Sequence, residues 1–185
     1  MRLTTPFSVL ACAAALVLVA CGASDEPPAA TGPQIIAAPV PPEALPGCAE
    51  IAEALGALVQ DLQAVEPAGS RQSGPDSHDL RCTWRHADDG GALGAIVIVD
   101  AQPLTEQDMR RAGLYVDDPR AAALGGFIAL PDGAFDGGAV LGPVGPQVIV
   151  GAVTVTLAGN ARGSTAEVTM DQAVDGAIAV HRLMR

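Results

Sequence analysis

Apolar residues Ile51, Leu55, Leu58, Val59 and Leu62 recur at three- and four-residue steps, with Glu50, Glu53 and Asp61 off that stripe. This is the period of an amphipathic helix and predicts one over Cys48 to Gln63. Glu66 to Asp79, with Pro67, Gly69, Gly74 and Pro75, reads as a polar loop. The period then changes: Leu80, Cys82 and Trp84 alternate with Arg81, Thr83 and Arg85, as in a half-buried strand over Leu80 to His86. Asp88-Asp89-Gly90-Gly91 supplies a hairpin turn, and the β-branched run Ala95 to Val99 supplies the pairing strand.

Further along, Leu104 to Gly113 predicts a short helix, with Glu106 and Asp108 early and Arg110 and Arg111 late, as the helix dipole favours. Gly125 to Leu130 and Ala139 to Leu141 read as short strands, separated by Pro131-Asp132-Gly133 and Gly137-Gly138. Gln147 to Leu157 is one bent strand or two, with Gly151 at the bend. A last helix spans Met170 to Met184: Thr169 and Gln172 form a capping-box pattern, and Met170, Val174, Ala177, Ile178 and His181 share a face. The order of these elements predicts an α+β fold, an antiparallel sheet with helices packed against it.

The N-terminus follows neither period. After Arg2, Pro6 to Ala20 is an apolar run of 15 residues, short of the ~20 needed to span a bilayer, so residues 1–20 read as a secretory signal. Leu18-Val19-Ala20-Cys21-Gly22 resembles the bacterial lipobox. That resemblance implies that Cys21 becomes the first mature residue, carrying diacylglycerol and palmitate, since two or more acyl chains anchor stably where one does not. An ordinary signal peptide with Cys21 incidental is the alternative. Gly22 in place of Asp resembles the default that sends a lipoprotein to the outer membrane of a diderm host. In a host with one membrane, the same anchor holds the protein on its outer face. Residues 21–46 contain seven of the fifteen prolines and read as a tether without a core. Residues 47–185 then form a single globular domain.

Composition narrows the chemistry. All ten basic residues are Arg, and the absence of Lys excludes a P-loop, a Schiff-base lysine and a kinase ATP-site lysine. A net charge of −11 with 3% aromatic residues speaks against nucleic acid as a partner. With Cys12 in the signal and Cys21 lipidated, Cys48 and Cys82 are left. In an oxidising envelope they most simply form a disulfide, with a free redox or metal-binding pair as the alternative.

His78, Cys82 and His86 are spaced four apart, but on a strand His78 and His86 lie ~26 Å from each other, so no metal site is expected. No Gly-x-Ser-x-Gly elbow is present, and Ser164 falls in a turn. His181 reads as a satisfied boundary residue rather than a base. Asp88-Asp89 and Asp117-Asp118 are adjacent turn residues whose side chains diverge, and a calcium site at Asp132 to Asp136 lacks the EF-hand pattern. Arg81 and Arg85 share the outer face of their strand and read as a solvated face, with an anion contact as the alternative.

The lipobox, the Pro-rich tether, Pro46-Gly47-Cys48 opening a helix, Cys82-x-Trp84 in a strand and a C-terminal helix ending His181-Arg182-Leu183 together carry a resemblance. They are similar to the small actinobacterial lipoproteins of unknown function, some with PsbP-like α/β sandwich domains. The resemblance implies a fold and an address and brings no catalytic residue with it. The expectation is therefore a lipid-anchored envelope protein without cofactor, binding an envelope protein or a small apolar ligand. A small enzyme assembling a site from His86, Asp88 and His181, or a purely structural lipoprotein, is the alternative.

Overall fold

The computed structural model describes residues 39–131 and 135–184. The expected signal peptide, Cys21, the tether as far as residue 38, and Asp132, Gly133 and Ala134 lie outside the described residues.

The elements in chain order are α1 (Cys48–Leu55), β1 (Gln63–Ala64), β2 (Ser70–Ser73), β3 (Ser77–Arg85), β4 (Ala92–Asp100), α2 (Glu106–Ala112), β5 (Tyr115–Val116), α3 (Pro119–Ala122), β6 (Phe127–Ala129), β7 (Gln147–Val150), β8 (Val153–Gly159) and α4 (Met170–Arg182). The strands form one antiparallel sheet in the order β1-β3-β4-β8-β7-β6-β5, with β2 pairing β3 beside β1. The fold is thus α+β, an eight-stranded antiparallel sheet with four helices against it among the described residues.

Alternation along the central hairpin decides which face is the core. Leu80, Cys82 and Trp84 of β3 and Leu93, Ala95, Val97 and Val99 of β4 are all buried. Facing the same way are Val153, Val155 and Leu157 of β8 and Val148 of β7, with Ile51 and Leu55 of α1 and Val174, Ala177 and Ile178 of α4 in the same core cluster. Each buried Val, Leu or Ile among them contributes about 1.5–3 kcal/mol through the area it removes from water.

Several boundaries depart from the sequence pattern for local reasons. The first helix ends at Leu55 rather than Gln63, because Gly56 takes φ +53°, a conformation open chiefly to glycine, and breaks the hydrogen-bond ladder. Val59 beyond it is still buried, so the apolar stripe packs although the helix has stopped. The polar stretch expected as a loop contains β2 and the start of β3, held by the pairs Ser70↔Arg81 through Ser73↔His78. Ala139 to Leu141 is not a strand but one bridge from Val140 to Thr169. The segment from Gln147 resolves into two strands, β7 and β8, which turn at Gly151. The last helix starts as its cap foretells: Thr169 Oγ1 accepts from the Gln172 amide and the Gln172 side chain accepts from the Thr169 amide.

The β3–β4 turn is latched to the loop before α4. Asp89 accepts from the amides of Gly91 (2.7 Å) and Ser164 (2.6 Å), while the Asn160 side chain accepts from the Ala92 amide and donates to the Gly90 carbonyl. The Gly91 amide, ahead of the Ser164 amide and His86, holds the Asp89 carboxyl below its ordinary range. A depressed pKa means the latch is complete above the ordinary carboxylate pKa and is lost as pH falls through the lowered value. Protection of the Gly91 and Ser164 amides, measured against their intrinsic exchange rates, is therefore expected to hold as pH is lowered through the normal Asp range, then to fall. In Asp89→Ala both amides lose that protection at every pH. Equal protection in the variant would exclude the latch.

Candidate functional site

The disulfide organises the first concave surface. Cys48 opens α1 and Cys82 lies at the middle of β3; the two are bonded with Cα atoms 5.6 Å apart. Gly69, at φ +69°, passes directly over the bond, where a Cβ would sit 2.4 Å from Cys48 Sγ. Next to it is a cleft of about 210 Å³ between α1 and the β1–β3 edge, lined by Ala52, Val59, Leu62, Pro67 and Trp84 together with Cys48. Trp84, the only tryptophan of the chain, forms part of its wall and is itself buried. The lining is almost wholly apolar. A second cleft, of about 280 Å³, lies between α1 and α4 and adds Gln172 and Asp175 to an apolar wall.

On the opposite face of the sheet, Arg81 and Arg85 border a groove with Ser70, Thr83, Val65 and Glu66. The face read as solvated is indented at this point, because the chain between β1 and β2 leaves the edge of β3 and returns. Arg81 Nε donates to Asp79 at 3.0 Å.

The histidines are placed apart. His86, just past β3, accepts at Nδ1 from the amides of Asp88 and Asp89 at 3.2 Å and so belongs to the turn. His181 is buried on α4, with Nε2 2.9 Å from the Val148 carbonyl of β7. β3 and β7 are three strand spacings apart, ~14 Å, so His86, Asp88 and His181 do not form one constellation. The role of His181 is to tie α4 to the sheet. His181→Ala is expected to leave a buried carbonyl without that partner and to cost about 1–2 kcal/mol in a urea melt. An unchanged midpoint would remove it from the structural framework.

One polar cluster that the sequence reading missed is the hub at Arg120. Its guanidinium donates to Asp118 of the α3 cap and to Asp171 and Asp175 of α4, at 2.6, 2.8 and 3.1 Å. Asp118 is the signal that was available, since Asp before Pro119 is the start pattern of a helix. His78 Nε2 is buried without a hydrogen-bond partner among the described residues. Cys82, between His78 and His86, is consumed by the disulfide. Among the described residues, no three His, Cys, Asp or Glu side chains converge to hold a metal ion. Asp136 caps the Gly138 amide at 3.0 Å, while Asp132 lies outside the described residues.

Comparison with family models, curated proteins and solved structures finds no match.

Proposed function

We propose that this chain is a lipid-anchored cell-envelope protein, tethered through Cys21, whose globular domain over residues 47–185 binds rather than catalyses. Its anchor site is read from the lipobox at Leu18 to Gly22, and the finer fold proposed with it is the PsbP-like sandwich of the lipoproteins it resembles. Of the two partner classes expected, a small apolar ligand has the stronger support. The observation that carries this reading is the apolar cleft between α1 and the β1–β3 edge, walled by Trp84. At about 210 Å³ it is smaller than the ~300–1,000 Å³ of pockets for drug-sized ligands, so its occupant is a short alkyl chain or a single ring.

The sole tryptophan is a built-in reporter. Titration of the full chain with 1-hexanol and with cyclohexanol is expected to shift Trp84 emission saturably, and Ala52→Phe, which fills the cleft, to abolish the shift. A linear response without saturation, or one unaffected by A52F, would sink the proposal. Intact mass after extraction from membranes tests the anchor separately, because acylation adds its own mass at Cys21.

A further inference from the structure

The strand β3 has two chemically distinct faces. Its inner face carries the disulfide and Trp84. Its outer face carries Arg81, Thr83 and Arg85 in one row at steps of ~6.6 Å. Two short strands line the same edge of β3 without joining: the Val65 amide donates to the Thr83 carbonyl, and Ser70 lies opposite Arg81. Residues 66–69 leave the edge between those points. Their departure opens the groove of about 260 Å³ lined by Val65, Glu66, Ser70, Arg81, Thr83 and Arg85.

The charges in this groove are unequally committed. Arg81 gives Nε and one N–H of Nη2 to Asp79, which leaves its Nη1 side unspent. Arg85 makes no ion pair among the described residues, and neither does Glu66. Two guanidiniums flanking a hydroxyl are conspicuous in a domain whose 18 acids outnumber 9 arginines from Gly47 onward. Arg71 of β2, opposite Leu80 and so on the other face of the sheet from Arg81 and Arg85, donates to the carbonyls of Pro42 (3.0 Å) and Pro46 (3.5 Å).

We propose that this groove binds a phosphate ester, with Arg85 supplying a bidentate fork, Arg81 its free N–H groups, and Ser70 and Thr83 their hydroxyls. Guanidinium forks match the spacing of phosphate oxygens and hold them more strongly than neutral donors do. The local charge selects among esters. Arg81 and Arg85 are balanced by Asp79 and Glu66, so a singly charged phosphodiester meets less repulsion than a doubly charged monoester. For a protein held at a membrane, the abundant phosphodiester is the phospholipid headgroup. That last step rests on the lipid-anchored reading; the diester chemistry does not.

Calorimetric titration of the full chain at low ionic strength separates the possibilities, with glycerophosphoglycerol as the diester probe and glycerol 3-phosphate as the monoester. Saturable diester binding is expected, weakened about tenfold or more in Arg85→Ala and lost in the Arg81→Ala/Arg85→Ala double variant. Glu66→Gln should raise monoester affinity toward that of the diester. Tighter binding of the monoester to the unaltered chain would keep the phosphate site and overturn the headgroup as its source. Saturation by neither probe, or equal binding by R85A, would overturn the site itself. Trp84 emission, read on the other face of the sheet, confirms that each variant is folded. Lack of acylation at Cys21 with diester binding intact would discard the anchor and leave this groove standing.

Discussion

Replacing Cys48 and Cys82 together by alanine is expected to lower the stability of the domain by about 3–4 kcal/mol and its Tm by ~10 °C. The bond joins residues 34 apart, and in the chain-entropy account closing a loop of that length removes much of the freedom of the unfolded chain. The loop encloses α1, β1 and β2, and its short edge strands have little else to hold them. All four residues of β2 are exposed and β1 is two residues long. Ile51 and Leu55 keep α1 docked through burial when the bond is absent, so the variant should fold with a lower midpoint rather than collapse. A single Cys48→Ala change should cost nearly as much as the pair, since a lone buried thiol at Cys82 behaves as a small hydrophobe. Thermal melts of the oxidised chain, of the chain in reductant and of both variants make the comparison. A loss under about 1 kcal/mol would mean that packing alone positions α1 and that the bond is redundant. The cleft beside Trp84 has Cys48 in its wall, so reduction is also expected to weaken the alcohol-induced change in Trp84 emission.

What could be read from sequence follows burial. Leu80, Cys82 and Trp84 were legible because one face of β3 meets the core and the other meets solvent, and water enforces that contrast residue by residue. The α4 start was legible because Thr169 and Gln172 satisfy each other locally. β2 was not. Ser-Arg-Gln-Ser has no buried side, and its extended shape comes from hydrogen bonds to β3, a partner that local pattern does not reveal. The same holds for β5, whose Tyr115 is positioned by stacking on Phe127 and by Arg110 over its ring. Of the candidate sites, the residues of the Arg81–Arg85 row were visible as a face. Their groove was not, because it depends on where residues 66–69 leave the sheet edge. The Trp84 cleft needs the same departure, together with the early end of α1 at Gly56.

The Arg120 hub gives the second large effect. Arg120→Ala is expected to destabilise the domain by about 2–3 kcal/mol at neutral pH and by much less once the pH has fallen below the lowered Asp118 value. Asp118 is 7% exposed and caps α3 by accepting from the amides of Arg120 and Ala121, so without the guanidinium it becomes a buried carboxylate lacking its counter-charge. Breaking a fully buried pair costs about 3–5 kcal/mol; the lower figure is chosen because Arg120 is 32% exposed and its α4 partners Asp171 and Asp175 are mostly in solvent. The sign of the pH dependence follows from the carboxylate. The side chain of Arg120, above all, holds Asp118 below its ordinary pKa in the folded protein, aided by the backbone amides. A lowered folded pKa contributes stability that is present above the unfolded value and disappears as pH falls through the lowered one. Removing Arg120 also leaves Asp118, Asp171 and Asp175 as neighbouring like charges, a penalty that protonation relieves. Both terms act in one direction, so the difference between the two proteins should shrink as the solution is acidified. Urea melts of the unaltered chain, R120A and Asp118→Asn across that range provide the test. Asn keeps the helix cap but not the ion pair, so Asp118→Asn should retain part of the loss and show a flatter pH response. A penalty for R120A that stays constant with pH would show that Arg120 acts through packing of its aliphatic stem, not through charge.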